Sequence, residues 1–325
     1  MGMIFITFIL AMILTTKCNK KGLIDMKNDL WVYGRDFFGS AKKFRSSYSG
    51  KFPKIILDSN ISGRHSFFSK SVNSLPGDKI TIFAEIEKAV NNNANLENSK
   101  FELLPDDNQI NELKKTLLIE YKKLFNEKLI NEHLEYLNSI PSLKNKTKLE
   151  KVNALIKHYQ EHNESSSINF HLVLCLININ INCDSQGYFK KLLHYPQEQY
   201  SLKLTKNILF DLFLIEEVNR FIDEGDDIFF CTNDFGAAYY ANYITKLTLC
   251  ITIHNLHKEP AKESLYGIEK DVYANLSNES EFTDIIKKIR EVIYKKWDGE
   301  YKRKYIFQLK PIAEAIDRSF NIRYL

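Results

Sequence analysis

Two short apolar runs, each ending in an acid, constrain this chain more than any other feature. Residues 54–58 read KIILD and residues 227–234 read DIFFCTND. Neither run alternates apolar with polar side chains, so neither suits a strand with one wet face. Unbroken runs of this length suit strands buried on both faces, as in parallel sheets. Just before the second run, residues 207–225 read NILFDLFLIEEVNRFIDEG, an apolar stretch closed by Gly225, which predicts a buried helix. A helix that leads within a few residues into a buried strand is half of a βαβ unit. FGAAYYANYITKL predicts a further helix, and LTLCITI at 247–253 a further strand. The expected fold class is α/β, a three-layer sandwich with a mainly parallel central sheet.

The rest of the chain reads differently. NELKKTLLIEYKKLFNEKLINEHLEYL sets apolar residues at helical spacing among charges, so residues 100–200 are expected to form a helical insertion. The core is then split between 26–99 and 201–260, and 261–325 is a helical extension rich in Lys and Arg. The insertion is also a surface on which a protein partner could dock. With 44% hydrophobic and 26% charged residues the chain has a globular balance, and its 325 residues can bury a core without disulfides. Cys18, Cys175, Cys183, Cys231 and Cys250 form no CxxC pair, which points to a reducing compartment, the cytoplasm. Residues 1–25 hold an apolar run that reads either as a membrane anchor or as residues upstream of a start at Met26. Lys17, Lys20 and Lys21 follow that run, so insertion would keep the downstream chain cytoplasmic.

The acids are where chemistry enters. Asp58 ends a strand and is followed by Ser59 and Asn60. Open parallel sheets bind ligands outside the carboxyl ends of their strands. Asp234 holds the equivalent place after IFFCTN. Each has a plainer reading, Asp58 as a turn former and Asp234 as a helix N-cap. Asp211 interrupts ILF-Asp-LFLI, where a buried carboxylate needs a cation, a partner side chain or a place at the helix edge. A fourth acid is expected from DKITIFAEIEKAV at 78–90, read as a helix on which Glu87 faces inward more than Glu85.

The string IILDSNI at 55–61 resembles the first strand and first acid of PIN domains, where a hydrophobic run ends in Asp-Ser/Thr-Asn. Asp211 within an apolar helix, then a strand ending Thr232-Asn233-Asp234-Phe235, resembles the later acids of that family. The order also matches: strand-Asp, helix-Glu, helix-Asp, strand-Thr-x-Asp. The resemblance implies that Asp58, Glu87, Asp211 and Asp234 coordinate Mg²⁺ or Mn²⁺. It implies further that Ser59, Asn60 and Thr232 position the acids or a phosphate, and that the chain is a metal-dependent endoribonuclease acting on RNA. The alternative within the same fold is a non-catalytic module that binds RNA or a protein partner.

Other signals are weaker. Cys250, His254 and His257 are spaced loosely like zinc ligands but lack a second pair. No phosphate-binding Gly-Lys loop, dinucleotide glycine fingerprint, nucleophile elbow or His-Glu-x-x-His is present. Residues 285–305 mix Lys and Arg with Tyr294, Trp297, Tyr301 and Tyr305, which fits base stacking or a solvated helix face. The net charge of +4 permits nucleic-acid binding without implying it.

Overall fold

The structure is a computed structural model. It describes residues 30–34, 37–49, 52–63, 65–91, 126–162, 168–181, 187–224, 228–241 and 279–294, with isolated positions besides. The apolar amino-terminal segment, the strand expected at 247–253 and the basic stretch beyond residue 294 lie outside them. Among the described residues no helix is long and apolar enough to cross a membrane. They divide into two compact units: a sheet unit up to residue 130 and again over 213–241, and a helical unit over 131–212 and from 243 onward.

Among the described residues of the sheet unit, five strands run in the order β2-β1-β5-β3-β4. They are β1 (Trp31–Gly34), β2 (Phe37–Ser40), β3 (Lys54–Leu57), β4 (Asp78–Ile80) and β5 (Ile228–Thr232). β3 pairs parallel with β4 and with β5, while β1 pairs antiparallel with β2 and with β5. The protein is therefore α/β, but its sheet is mixed where a mainly parallel one was expected. The cause is the β1–β2 hairpin, whose strands are only two residues apart in sequence. So short a link cannot make the crossover that parallel pairing needs.

Local chemistry explains the strands. β1 and β2 are WVYG and FFGS, rich in aromatic and β-branched residues that fit a pleated surface. Gly34 lies opposite Phe229, and a Cβ there would run into the Phe229 ring. Gly77 has φ +81° and closes on Pro53, so that the Asp78 N–H reaches the Pro53 carbonyl at 2.9 Å and β4 can pair with β3. That pairing corrects the helix expected over 78–90. Its first three residues form β4, and α4 (Ile82–Asn91) begins only after Thr81. The neighbouring strand overrides the local helical pattern.

One face of the sheet presents Val32, Ile55, Leu57, Phe229 and Cys231, which pack with Ala41 and Phe44 of α1 (Ala41–Ser47), Ile61 of α2 (Ser59–Gly63) and Phe68 and Val72 of α3 (His65–Asn73). The alternate residues face the other way, where Phe230 meets Phe83 of α4 edge-on at 6.2 Å.

The helical unit holds α5 (Glu127–Asn138) from Asn131 onward, then α6 (Lys148–His162), α7 (Phe170–Asn180), α8 (Tyr188–Leu192) and α10 (Glu279–Ile289). α6 opens with a reciprocal cap: Glu150 accepts from the Thr147 N–H at 2.7 Å, and Thr147 Oγ1 accepts from the Glu150 N–H at 3.3 Å. α7 is buried on nearly every side, as its unbroken apolar sequence requires. Asn178 is satisfied there by donating to the Leu174 carbonyl and to the Tyr243 hydroxyl. Lys148 and Glu281 pair at 3.5 Å between α6 and α10. α9 (Leu202–Glu224) gives its residues up to Leu212 to the helical unit and those from Phe213 to the sheet unit.

Candidate functional site

β3 and β5 are adjacent and parallel, with Leu57 opposite Cys231, so the residues that follow them emerge at one edge of the sheet. Asp58 follows β3 directly, and its N–H still donates to the Cys231 carbonyl at 2.9 Å. Asp234 follows β5 after Asn233. The short apolar runs thus place both acids at the carboxyl edge, as the sequence led us to expect.

One hydroxyl connects them. Thr232 Oγ1 donates to Asp58 Oδ2 at 2.6 Å and accepts from the Asp234 N–H at 2.9 Å. Its rotor is therefore fixed from both sides. The 2.6 Å distance is that of a short hydroxyl–oxygen hydrogen bond. On the other carboxylate oxygen, Asp58 Oδ1 faces the Asn60 N–H at 3.4 Å and the Ser59 hydroxyl at 3.5 Å, both long. Asp58 is 8% exposed, whereas Asp234 is exposed. Burial pushes the Asp58 carboxyl above its ordinary value, and the negative charge of Asp234 adds to that rise. The bonds from Thr232 and Asn60 oppose it without cancelling it.

Both plainer readings also hold. Asp234 Oδ1 accepts from the Gly236 N–H at 2.7 Å and the Ala237 N–H at 3.3 Å, capping the helical residues 235–241. Asp58 stands at the start of α2, where its carbonyl accepts from the Ile61 N–H at 3.0 Å. Capping occupies Asp234 Oδ1, so a ligand would meet Oδ2.

The other expected acids have different surroundings. Glu87 lies on α4, beyond the buried Ile82, Phe83 and Ile86. Its side chain is outside the described residues. Glu85 is half-buried and accepts from the Thr81 hydroxyl at 3.2 Å. Asp211 is half-buried on α9, while Leu209, Leu212, Phe213, Leu214 and Ile215 around it are buried. It sits at the margin of that helix's apolar face. Among the described residues no three His, Cys, Asp or Glu side chains form a group that could hold a metal ion.

Sequence reasoning missed an aromatic chain at this edge. Trp31 lies opposite Thr232 in the β1–β5 register. Its ring meets Phe235 edge-on at 4.3 Å and Phe38 at 6.0 Å, and Phe235 meets Tyr239 at 6.4 Å. All four rings are half-buried. The Trp31 indole N–H is shut off from solvent and has no acceptor among the described residues. Phe235 directly after Asp234 was the only local hint. No family model, curated protein or solved structure matches this chain.

Proposed function

We propose that this chain is a PIN-like, metal-dependent endoribonuclease, with its three-layer core built on the sheet unit and its site at Asp58 and Asp234. One observation supports this most: a buried Asp58 and an exposed Asp234 meet through Thr232 at the carboxyl ends of adjacent parallel strands. Burial and a like charge both oppose ionisation of Asp58, and a cation would offset both. The donor set is all oxygen, which suits Mg²⁺ or Mn²⁺. Such ions bind through one or two carboxylates plus waters and substrate phosphate. The two acids fit that requirement. Asp58 would contribute one carboxylate oxygen and Asp234 would contribute Oδ2, the oxygen its cap leaves over.

When bound, the ion would stabilise charge on the phosphate oxygens and acidify water for phosphodiester hydrolysis. The chain's own residues do the rest. Thr232 ties the Asp58 carboxylate to the backbone of Asp234, because its hydroxyl donates to the one and accepts from the N–H of the other. The cap bonds from Gly236 and Ala237 hold the Asp234 carboxylate in one rotamer. Ser59 and Asn60 face Asp58 Oδ1 and can turn a hydroxyl or amide toward a phosphate oxygen. The resemblance adds Glu87 as a further ligand on α4.

The test is cleavage of mixed-sequence single-stranded RNA with Mn²⁺. Wild type should cleave, while Asp58→Asn and Asp234→Asn should each lose activity and keep the wild-type circular-dichroism spectrum. A variant that cleaves at the wild-type rate removes that residue from the site. A second reading, the non-catalytic module, is favoured by the commitment of Asp234 Oδ1 to its helix cap. It predicts binding of RNA or a protein partner by wild type, with no cleavage under any divalent ion.

A further inference from the structure

We propose that His158 and His162 latch α6 to the end of α5, and that the latch opens when acid protonates His158. The two imidazoles lie one turn apart on α6 and are in contact, with ring centroids 4.2 Å apart. Both reach the last turn of α5. His158 Nε2 faces the Tyr136 carbonyl at 2.9 Å, and because a carbonyl only accepts, Nε2 carries the proton. By the same reasoning His162 Nδ1 donates to the His158 carbonyl at 3.0 Å, which leaves its Nε2 against the Ser139 hydroxyl at 3.2 Å. That hydroxyl donates in turn to the Glu135 carbonyl at 2.6 Å. The latch holds more than its own residues. Asn138 accepts from the Tyr200 N–H at 2.7 Å and donates to the Tyr200 carbonyl at 3.1 Å. Residues 135–139 thus connect α6 to the segment that opens α9.

A proton on His158 leaves its Nε2 bond intact but puts a charge where water does not reach. The ring is 5% exposed and stacks on the buried Tyr136 ring at 4.6 Å. Burial first, and then the His162 ring, hold the His158 imidazole below its ordinary 6.5, against the opposing pull of the Tyr136 carbonyl and Glu161. Among the described residues little else can compensate. Glu161 is exposed and paired with Lys157 at 3.6 Å. Burial keeps the Tyr136 and Tyr159 hydroxyls neutral, with that of Tyr159 pushed up to about 12. α7, packed on α6, has His171 and Cys175 as its titratable residues and no acid. α10 meets α6 through Glu281, paired with Lys148 at the opposite end of that helix. The folded chain therefore holds this proton less tightly than the unfolded chain. The latch is whole above pH 6.5 and weakens as pH falls from there through the folded value.

The experiment follows amide hydrogen exchange in the full chain, corrected for the intrinsic pH dependence of exchange. Over α5 the opening constant should rise as pH falls below 6.5, by up to about tenfold per pH unit, the limit for one proton. β3 should keep its protection, which separates opening of the latch from acid unfolding of the chain. His158→Gln can still donate to the Tyr136 carbonyl but takes up no proton, so its α5 should open no more in acid than at neutral pH. His162→Gln removes the ring that opposes the charge and should move the rise to higher pH, a shift that a purely structural role would not produce. If His158→Gln does not fold, imidazole titration of the wild type by NMR should still show a histidine that protonates only below pH 6.5. A flat α5 profile, an acid rise shared by β3 or by His158→Gln, an unmoved window in His162→Gln, or no such histidine would overturn the latch.

Discussion

At the scale of single residues, Asp58 is a carboxyl whose burial opposes its ordinary ionisation. Its folded-state pKa is raised, so the folded chain holds that proton more tightly than the unfolded chain does. Stability therefore declines as pH rises from the ordinary 3.8 through the folded value, and the full cost is present above it. In chelator, thermal melts should show the wild type losing stability across that window. Asp58→Asn, which removes the charge but can still accept from Thr232, should melt higher at neutral pH and show a flatter profile. Equal profiles would mean that Asp58 ionises without cost. Asp234 permits a cleaner separation of roles. Asn at a cap keeps the acceptor, and Ala loses it at about 0.5–2 kcal/mol. Asp234→Asn should thus keep stability and lose metal binding, whereas Asp234→Ala should lose both. If Asp234→Asn binds Mn²⁺ like wild type, Asp234 is only a cap.

Among the elements, those with strong local signals were legible. β3, β5 and α9 are apolar enough to announce themselves. β1 and β2, no shorter than β3, went unread because Gly34 and Gly39 break up their apolar residues. β4 was hidden inside a helical pattern because its identity comes from pairing with β3, which no local window contains. The hairpin that was missed is also what makes the sheet mixed and brings Trp31 to the site. Its geometry is tight. Gly34→Ala would drive a Cβ into the Phe229 ring, and overpacking of this kind costs about 1–3 kcal/mol. Urea melts of Gly34→Ala should move to a lower midpoint with an unchanged slope. A wild-type midpoint would show that β1 and Phe229 can move apart freely.

For the molecule as a whole, the sequence marked residues 100–200 and the carboxyl-terminal stretch as helical but treated them as separate additions. The structure assigns α6, α7 and α10 to one unit, with Lys148 and Glu281 paired within it. Contacts between segments so distant in sequence leave no trace in local spacing. The acidic pair was legible for the opposite reason, because each acid follows its own strand and the strands carry their own signal. Its tie through Thr232 was not, since a hydrogen bond spanning 174 positions is a product of the fold. The proposed metal site stands or falls on whether this pair binds a divalent ion. Calorimetric titration of Mn²⁺ into wild type, Asp58→Asn and Asp234→Asn measures that directly. Wild type should bind saturably, and its melt should rise by about 2.7 kcal/mol of stabilisation at a hundredfold excess over Kd. Both variants should show no saturable heat and no rise. Saturable binding of equal affinity in all three proteins would contradict the metal site at Asp58 and Asp234.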